Sequence, residues 1–361
     1  MSAPTAPELP SEGRDQRVDV LRGLALCGVI AIHLCARIPA ADPLYAAGRF
    51  VDHLGRFGVP LFLGVFGWGL GRAASRAPIG PAWVFGRLRA VVPAYLAWAL
   101  LYAAVAPLDG GGSSLWDPRV AWPARFGLTL FGYGAEQLYY MTAYFGLLLI
   151  GPLAGTVLAS VSGRTALALA TAGLVANAAL LGHVQSVVAT GLPPTGVAQF
   201  LLHTEARTPL HWFGFFLAGA GLGRYLAAGS HLPQPRWWWL PLGLSLHTVV
   251  ALRPPSLQFD DFWASPALVW AALAFLAWGT AAANRLAPNA VGRWLGRFGA
   301  DSLPTYLGHV LWLRLGWWAT ADWPTVPRLV VALGSVVAGN WAYGRVHPRI
   351  FTRRSAVVTS Q

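Results

Sequence analysis

The sequence contains no lysine: all 26 basic residues among its 361 are arginine. That absence excludes Schiff-base chemistry and a lysine phosphate clamp, and it reads as the codon bias of a GC-rich bacterial genome. Charge of either sign is scarce, at 11% of residues, against about 25% in an ordinary soluble domain. So few charges cannot cover a water-soluble surface, which excludes a soluble globular enzyme. The 55% hydrophobic content excludes disorder. There are only two cysteines, Cys27 and Cys35. They lie about 12 Å apart along one predicted helix, too far for a disulfide and too few for a zinc site, so they read as small apolar core residues. The nine histidines are scattered with no HxxxH or HExxH spacing, and no metal is expected.

What the chain has instead is apolar length. A membrane helix needs about 20 mostly apolar residues. Ten such segments are predicted, near 20–38, 54–72, 84–106, 137–160, 165–183, 210–228, 237–253, 263–284, 299–320 and 325–345. A weaker stretch at 121–134 reads as a re-entrant or interfacial piece. The fold class is therefore all-α: a polytopic integral membrane protein of about ten transmembrane helices in one bundle. Residues 1–16 read as a disordered tail, 17–346 as the membrane domain and 347–361 as a second tail. The polar, acid-containing N-terminus does not resemble a cleaved signal peptide.

Arginine placement sets the orientation. With ten spans, both termini share one side. That side carries 17 arginines against Glu8, Glu12, Asp15 and Asp19, a balance of +13, while the other side carries 8 arginines against nine acids. The basic side is expected to be cytoplasmic, in a bacterial inner membrane. Trp237-Trp238-Trp239 and Trp317-Trp318 fit interfacial belts.

The first span carries a polar stripe. From Arg22 to His33 is eleven residues. At about 100° per residue this leaves about 20° after three turns, so the two share a face about 16 Å apart. Asp19 joins that face one turn below Arg22. Both polar groups must face protein or a water-filled cavity, because lipid would not tolerate them. An Asp19–Arg22 ion pair is the plain reading at the mouth, and an interhelical hydrogen bond is the plain reading of His33.

The string Arg17-x-Asp19-x-Leu21-Arg22-Gly23-x-Ala25, ending in His33, resembles the first span of acyltransferase family 3, whose hallmark is a basic residue, ten residues, then His. The resemblance continues through Phe57-Gly58-Val59-Pro60-Leu61-Phe62, through Arg87-Leu88-Arg89 with Pro93-Ala94-Tyr95, and through Ser302 to Tyr306-Leu307-Gly308-His309. It covers nearly the whole chain. Departures are the start of the fourth span, Gln137-Leu138-Tyr139-Tyr140 where the family reads His-Leu-Trp-Phe-like, and the two-residue spacing of Arg87 and Arg89, usually three.

The resemblance implies transfer of an acyl group, usually acetyl, from cytoplasmic acyl-CoA to a hydroxyl of a carbohydrate or a glycosylated or polyketide-type metabolite. In that reading Arg22, Arg87 and Arg89, with Asp19, hold the donor's phosphates, as guanidinium forks do well. His33 is the catalytic base or a transient acyl carrier; apolar surroundings favour the neutral imidazole that either role needs. Glu136, Tyr139, Tyr306 and His309 shape the acceptor side. Arg314, in the ninth span, snorkels, pairs with an acid or lines the cavity. His53, His203, His211 and Asp260-Asp261 read as interface groups. Expected partners are membrane lipids, acetyl-CoA or another acyl-CoA, and a hydroxyl-bearing acceptor, with no nucleic acid and no metal. The rival readings are a transporter or flippase of a small glycolipid or metabolite, and a non-catalytic scaffold. The first is disfavoured because no paired halves are visible.

Overall fold

The computed structural model describes residues 15–105, 122–133, 135–190, 195–204, 207–230, 283, 286 and 288–351. Among these every regular element is helical and no strand occurs. The elements are α1 (Gln16–Cys35), α2 (Tyr45–Gly55), α3 (Gly58–Ala74), α4 (Pro81–Val105) and α5 (Trp122–Leu130). They continue with α6 (Tyr139–Ala159), α7 (Gly163–Ala189), α8 (Gly196–Thr204), α9 (Pro209–Ala227), α10 (Ala290–Ala300), α11 (Ser302–Ala319) and α12 (Thr325–Phe351).

Five stretches are long and apolar enough to cross a membrane: Gln16–Cys35, Tyr45–Ala74, Pro81–Val105, Tyr139–Ala159 and Gly163–Val184. Helices α9, α11 and α12 coincide with three more predicted spans. The two expected at 237–253 and 263–284 lie outside the described residues, as do Trp237-Trp238-Trp239, Asp260-Asp261 and residues 1–14. The C-terminal helix runs to Phe351. The stretch at 121–134 holds α5, whose Leu130 carbonyl accepts a 2.7 Å hydrogen bond from Tyr95 on α4.

Local chemistry explains where helices begin. Asp15 caps α1, accepting from the backbone N–H of Arg17 at 3.1 Å, and Asn289 caps α10 through the N–H of Gly292 at 2.8 Å. Thr208 caps α9, with Pro209 in the first turn, where a missing N–H costs nothing. Asp15 also takes Arg17 Nε at 2.9 Å and Arg72 Nη1 at 2.6 Å. Burial alone would raise the Asp15 carboxyl, but these hydrogen bonds and charges outweigh it and hold it below its ordinary value. The pair to Arg72 ties the start of α1 to the end of α3. Likewise Asp42, beyond the end of α1, accepts from Thr325 at the start of α12. Each tie joins ends that the ten-span reading places on the same side.

Packing at the centre depends on glycine. Along α3, a side-chain carbon on Gly67 would fall onto the carbonyl of Phe216, and one on Gly71 onto that of Ala220. From α9, Gly219 faces the Gly64 carbonyl and Gly223 that of Trp68. Both helices thus present glycines four residues apart, one turn on one face, and their backbones touch without intervening side chains. The same device joins α1 to α10: Gly23 faces the Leu295 carbonyl and Gly299 faces that of Asp19.

Three short helices depart from the sequence reading: α2, α8 and α10. None contains a long apolar run. The buried residues of α2 are Gly48, Asp52 and Gly55, a narrow small-residue face. Asp52 is held there by Arg56 at 2.8 Å and Arg49 at 3.7 Å.

Candidate active site

The site is built around α1. Asp19 is buried and its Oδ1 takes Arg22 Nη1 at 3.3 Å. Arg22 opens onto a cavity of about 600 Å³. Phe62 and Phe66 of α3, Arg87 of α4, Tyr140 and Tyr144 of α6, and Tyr306 of α11 wall it. Arg87 lies over the ring of Trp83 at 5.0 Å and lines the cavity together with Arg22 and Tyr144. The cavity wall thus combines a group of aromatic rings and two guanidinium groups with the polar Asp301, Ser302, Thr305 and Asn340.

His33 sits in the last turn of α1, half-buried. It does not line this cavity. Its ring centre is 5.1 Å from that of His309 on α11. His309 in turn is 5.6 Å from Tyr306, and Tyr306 is 4.8 Å from Tyr140. A series of rings thus leads from the cavity wall through Tyr306 and His309 to His33.

His309 is fully buried, and its Nδ1 is 2.6 Å from the Tyr306 carbonyl. A carbonyl only accepts, so Nδ1 carries the hydrogen and the neutral ring keeps its lone pair on Nε2. The turn that holds this ring is braced from outside α11. The Tyr306 hydroxyl donates to the Gln137 carbonyl at 2.7 Å, and Gln137 Nε2 donates to the Leu307 carbonyl at 3.1 Å. The Tyr102 hydroxyl donates to the same Leu307 carbonyl at 2.8 Å and accepts from Leu311 N–H at 3.1 Å. A phenol is thus inserted into the hydrogen-bond ladder of α11, one helical turn around His309.

Tyr102→Phe keeps the shape and removes both of those bonds. It is expected to cost about 1–3 kcal/mol, seen as a lower thermal unfolding midpoint in detergent. An unchanged midpoint would show that the brace carries no weight.

Of the residues singled out from sequence, Arg22, Arg87 and Tyr306 line the cavity. Asp19 reaches it only through Arg22. Arg89 is exposed and not part of the lining. Tyr139 stacks on Trp212, 6.2 Å apart and tilted 19°, away from the cavity. Glu136 opens the short 3₁₀ turn Glu136–Leu138, and its side chain lies outside the described set. Arg314 is half-buried on α11 and not in the lining. The aromatic wall of Tyr140 and Tyr144, and the bracing pair Gln137 and Tyr102, were not singled out for these roles. The i,i+4 spacing of Tyr140 and Tyr144 on one helical face was the available signal. Cys27 and Cys35 are both free thiols. Among the described residues no group of three or more His, Cys, Asp or Glu side chains gathers to hold a metal.

A family model described as an acyltransferase domain matches residues 15–345. No curated protein matches the chain, and no solved structure does.

Proposed function

This chain belongs to that acyltransferase-domain family, and from that premise we propose that it is an integral-membrane O-acyltransferase using cytoplasmic acyl-CoA. In this reading it has ten spans and sits in a bacterial inner membrane with both termini in the cytoplasm. It transfers an acyl group, acetyl before longer chains, to a hydroxyl of a carbohydrate or a glycosylated or polyketide-type metabolite. The observation that carries the reading is the cavity itself. It puts two guanidinium groups and several aromatic rings on one wall, and of those rings Tyr306 is the first of the series leading to His33.

Arg22 and Arg87 take the phosphates of the donor, and the aromatic wall takes the pantetheine arm. The 16 Å or so from Arg22 to His33 along α1 is comparable to that arm's reach. His33 removes the proton of the acceptor hydroxyl as that oxygen attacks the thioester carbon. The carbon–sulfur bond breaks, and the departing thiolate takes the proton back from the imidazolium, which yields ester and free thiol. His309, anchored to the Tyr306 carbonyl, packs beside the His33 ring and limits where it can turn. A general base of this kind contributes typically 10²–10⁴-fold.

The reaction releases a thiol, so purified protein in detergent supplied with acetyl-CoA and a panel of sugar and glycoside acceptors is assayed by thiol-reactive dye. Release that depends on acceptor is the expected result, and consumption of no thioester with any acceptor would overturn the reading. Arg87→Gln is expected to raise the donor KM about tenfold to a hundredfold, the worth of one charge-assisted hydrogen bond, with kcat nearly unchanged. Arg89→Gln, outside the lining, is expected to change KM less than threefold. Equal effects from the two would place the phosphates elsewhere.

A further inference from the structure

Helix α10 (AVGRWLGRFGA) packs its small-residue face on the first turns of α1. Gly292, Leu295, Gly296 and Gly299 are buried, and Gly299 and Gly23 bring the two backbones into contact. Its opposite face is exposed except at Phe298, which is half-buried against the core. At about 100° per residue, that face runs in order through Arg293, Arg297, Ala290, Trp294, Phe298 and Val291, an arc of about 160°. Cations are at one edge and large apolar groups at the other. Arg293 and Arg297 are exposed, Trp294 is 56% and Val291 58% exposed, and the rings of Trp294 and Phe298 stack 5.4 Å apart. No acid occurs within the helix.

Position adds to pattern. The helix lies beside the N-terminal end of a span-length helix, against Gln16, Asp19 and Gly23, which is the level of a membrane surface. Free nucleotide or phosphate would satisfy the arginines but leave an exposed Trp and Val in water. A lipid headgroup layer satisfies both edges at once: phosphate for the cations and acyl boundary for the rings.

We propose that α10 is an interfacial helix that docks on acidic phospholipid, with Arg293 and Arg297 on the headgroup phosphate and Trp294 and Val291 in the acyl boundary. This does not depend on the acyl-transfer reading.

The test uses the full chain in detergent, titrated with phosphatidylglycerol or phosphatidylcholine and followed by native mass spectrometry. Wild-type protein is expected to bind phosphatidylglycerol more tightly than phosphatidylcholine. The R293Q/R297Q double variant is expected to lose about fivefold per arginine, about thirtyfold together, for the acidic lipid only. Both side chains are exposed, and the Asn289 cap is untouched; an unchanged thermal midpoint confirms an intact fold. Trp294→Ala is expected to weaken both lipids. Equal binding of the two lipids by wild type, or undiminished phosphatidylglycerol binding by the double variant, would overturn the proposal. So would a double variant that loses coenzyme A and keeps the lipid, because the arginines would then serve the nucleotide.

Discussion

His33→Ala is expected to lower acyl transfer by about 10²–10⁴-fold while leaving the affinity for coenzyme A within about threefold of wild type. The expectation follows from position. The imidazole lies at the far end of α1 from Arg22, in the last turn, and it does not line the cavity in which the guanidinium groups sit. Truncation removes the proposed base and leaves the proposed donor contacts intact. It also leaves the fold intact, because His33 is only half-buried and the neighbouring His309 is anchored to its own helix backbone. Single-turnover thiol release and coenzyme A binding by calorimetry read the two effects separately. A His33→Ala protein that transfers acyl groups at the wild-type rate keeps the family assignment and removes His33 from the mechanism. Loss of coenzyme A binding alongside activity would instead mean that the ring supports the cavity.

The second large effect is on stability. Gly219→Leu is expected to prevent folding, at a cost above about 4 kcal/mol. At Gly219 even one added carbon would occupy the position of the Gly64 carbonyl, and neither helix can retreat without opening the α3–α9 contact along its length. Gly219→Ala should already lower the unfolding midpoint sharply. The control is on the partner helix. Gly69 has nothing near the position of an added carbon, so Gly69→Ala is expected to be neutral or to gain up to about 1 kcal/mol from helix propensity. Size-exclusion profiles and thermal midpoints in detergent compare the three. A monodisperse, stable Gly219→Leu protein would mean that the two backbones are not in contact.

Much of this architecture is legible in the sequence because apolar length and helical periodicity are local properties. The stripe of Asp19, Arg22 and His33 can be read from one stretch of 15 residues, and the geometry keeps Arg22 at a cavity and His33 beside a second imidazole. The two-residue spacing of Arg87 and Arg89 already implies that one of them falls away from a shared site, since two residues on a helix turn about 200° apart; the structure puts Arg87 at the cavity and leaves Arg89 out of its lining. The brace around His309 was not legible: Tyr102 and Leu307 are 205 residues apart, and Gln137 and Leu307 are 170 apart. Nothing local marks such pairs. The short helices α2 and α10 were missed for a different reason. A search for apolar runs passes over helices whose buried face is glycine, because glycine contributes close approach more than hydrophobicity.

The anchored ring of His309 has one more consequence. With Nδ1–H spent on a backbone carbonyl, an acceptor that cannot take a proton onward, the imidazole is a dead end for proton traffic. Anything gained at Nε2 has to depart by the same nitrogen. In the proposed mechanism His309 therefore offers no onward exit for a proton taken up by His33, and the proton lost by the alcohol is expected to be the one returned to sulfur.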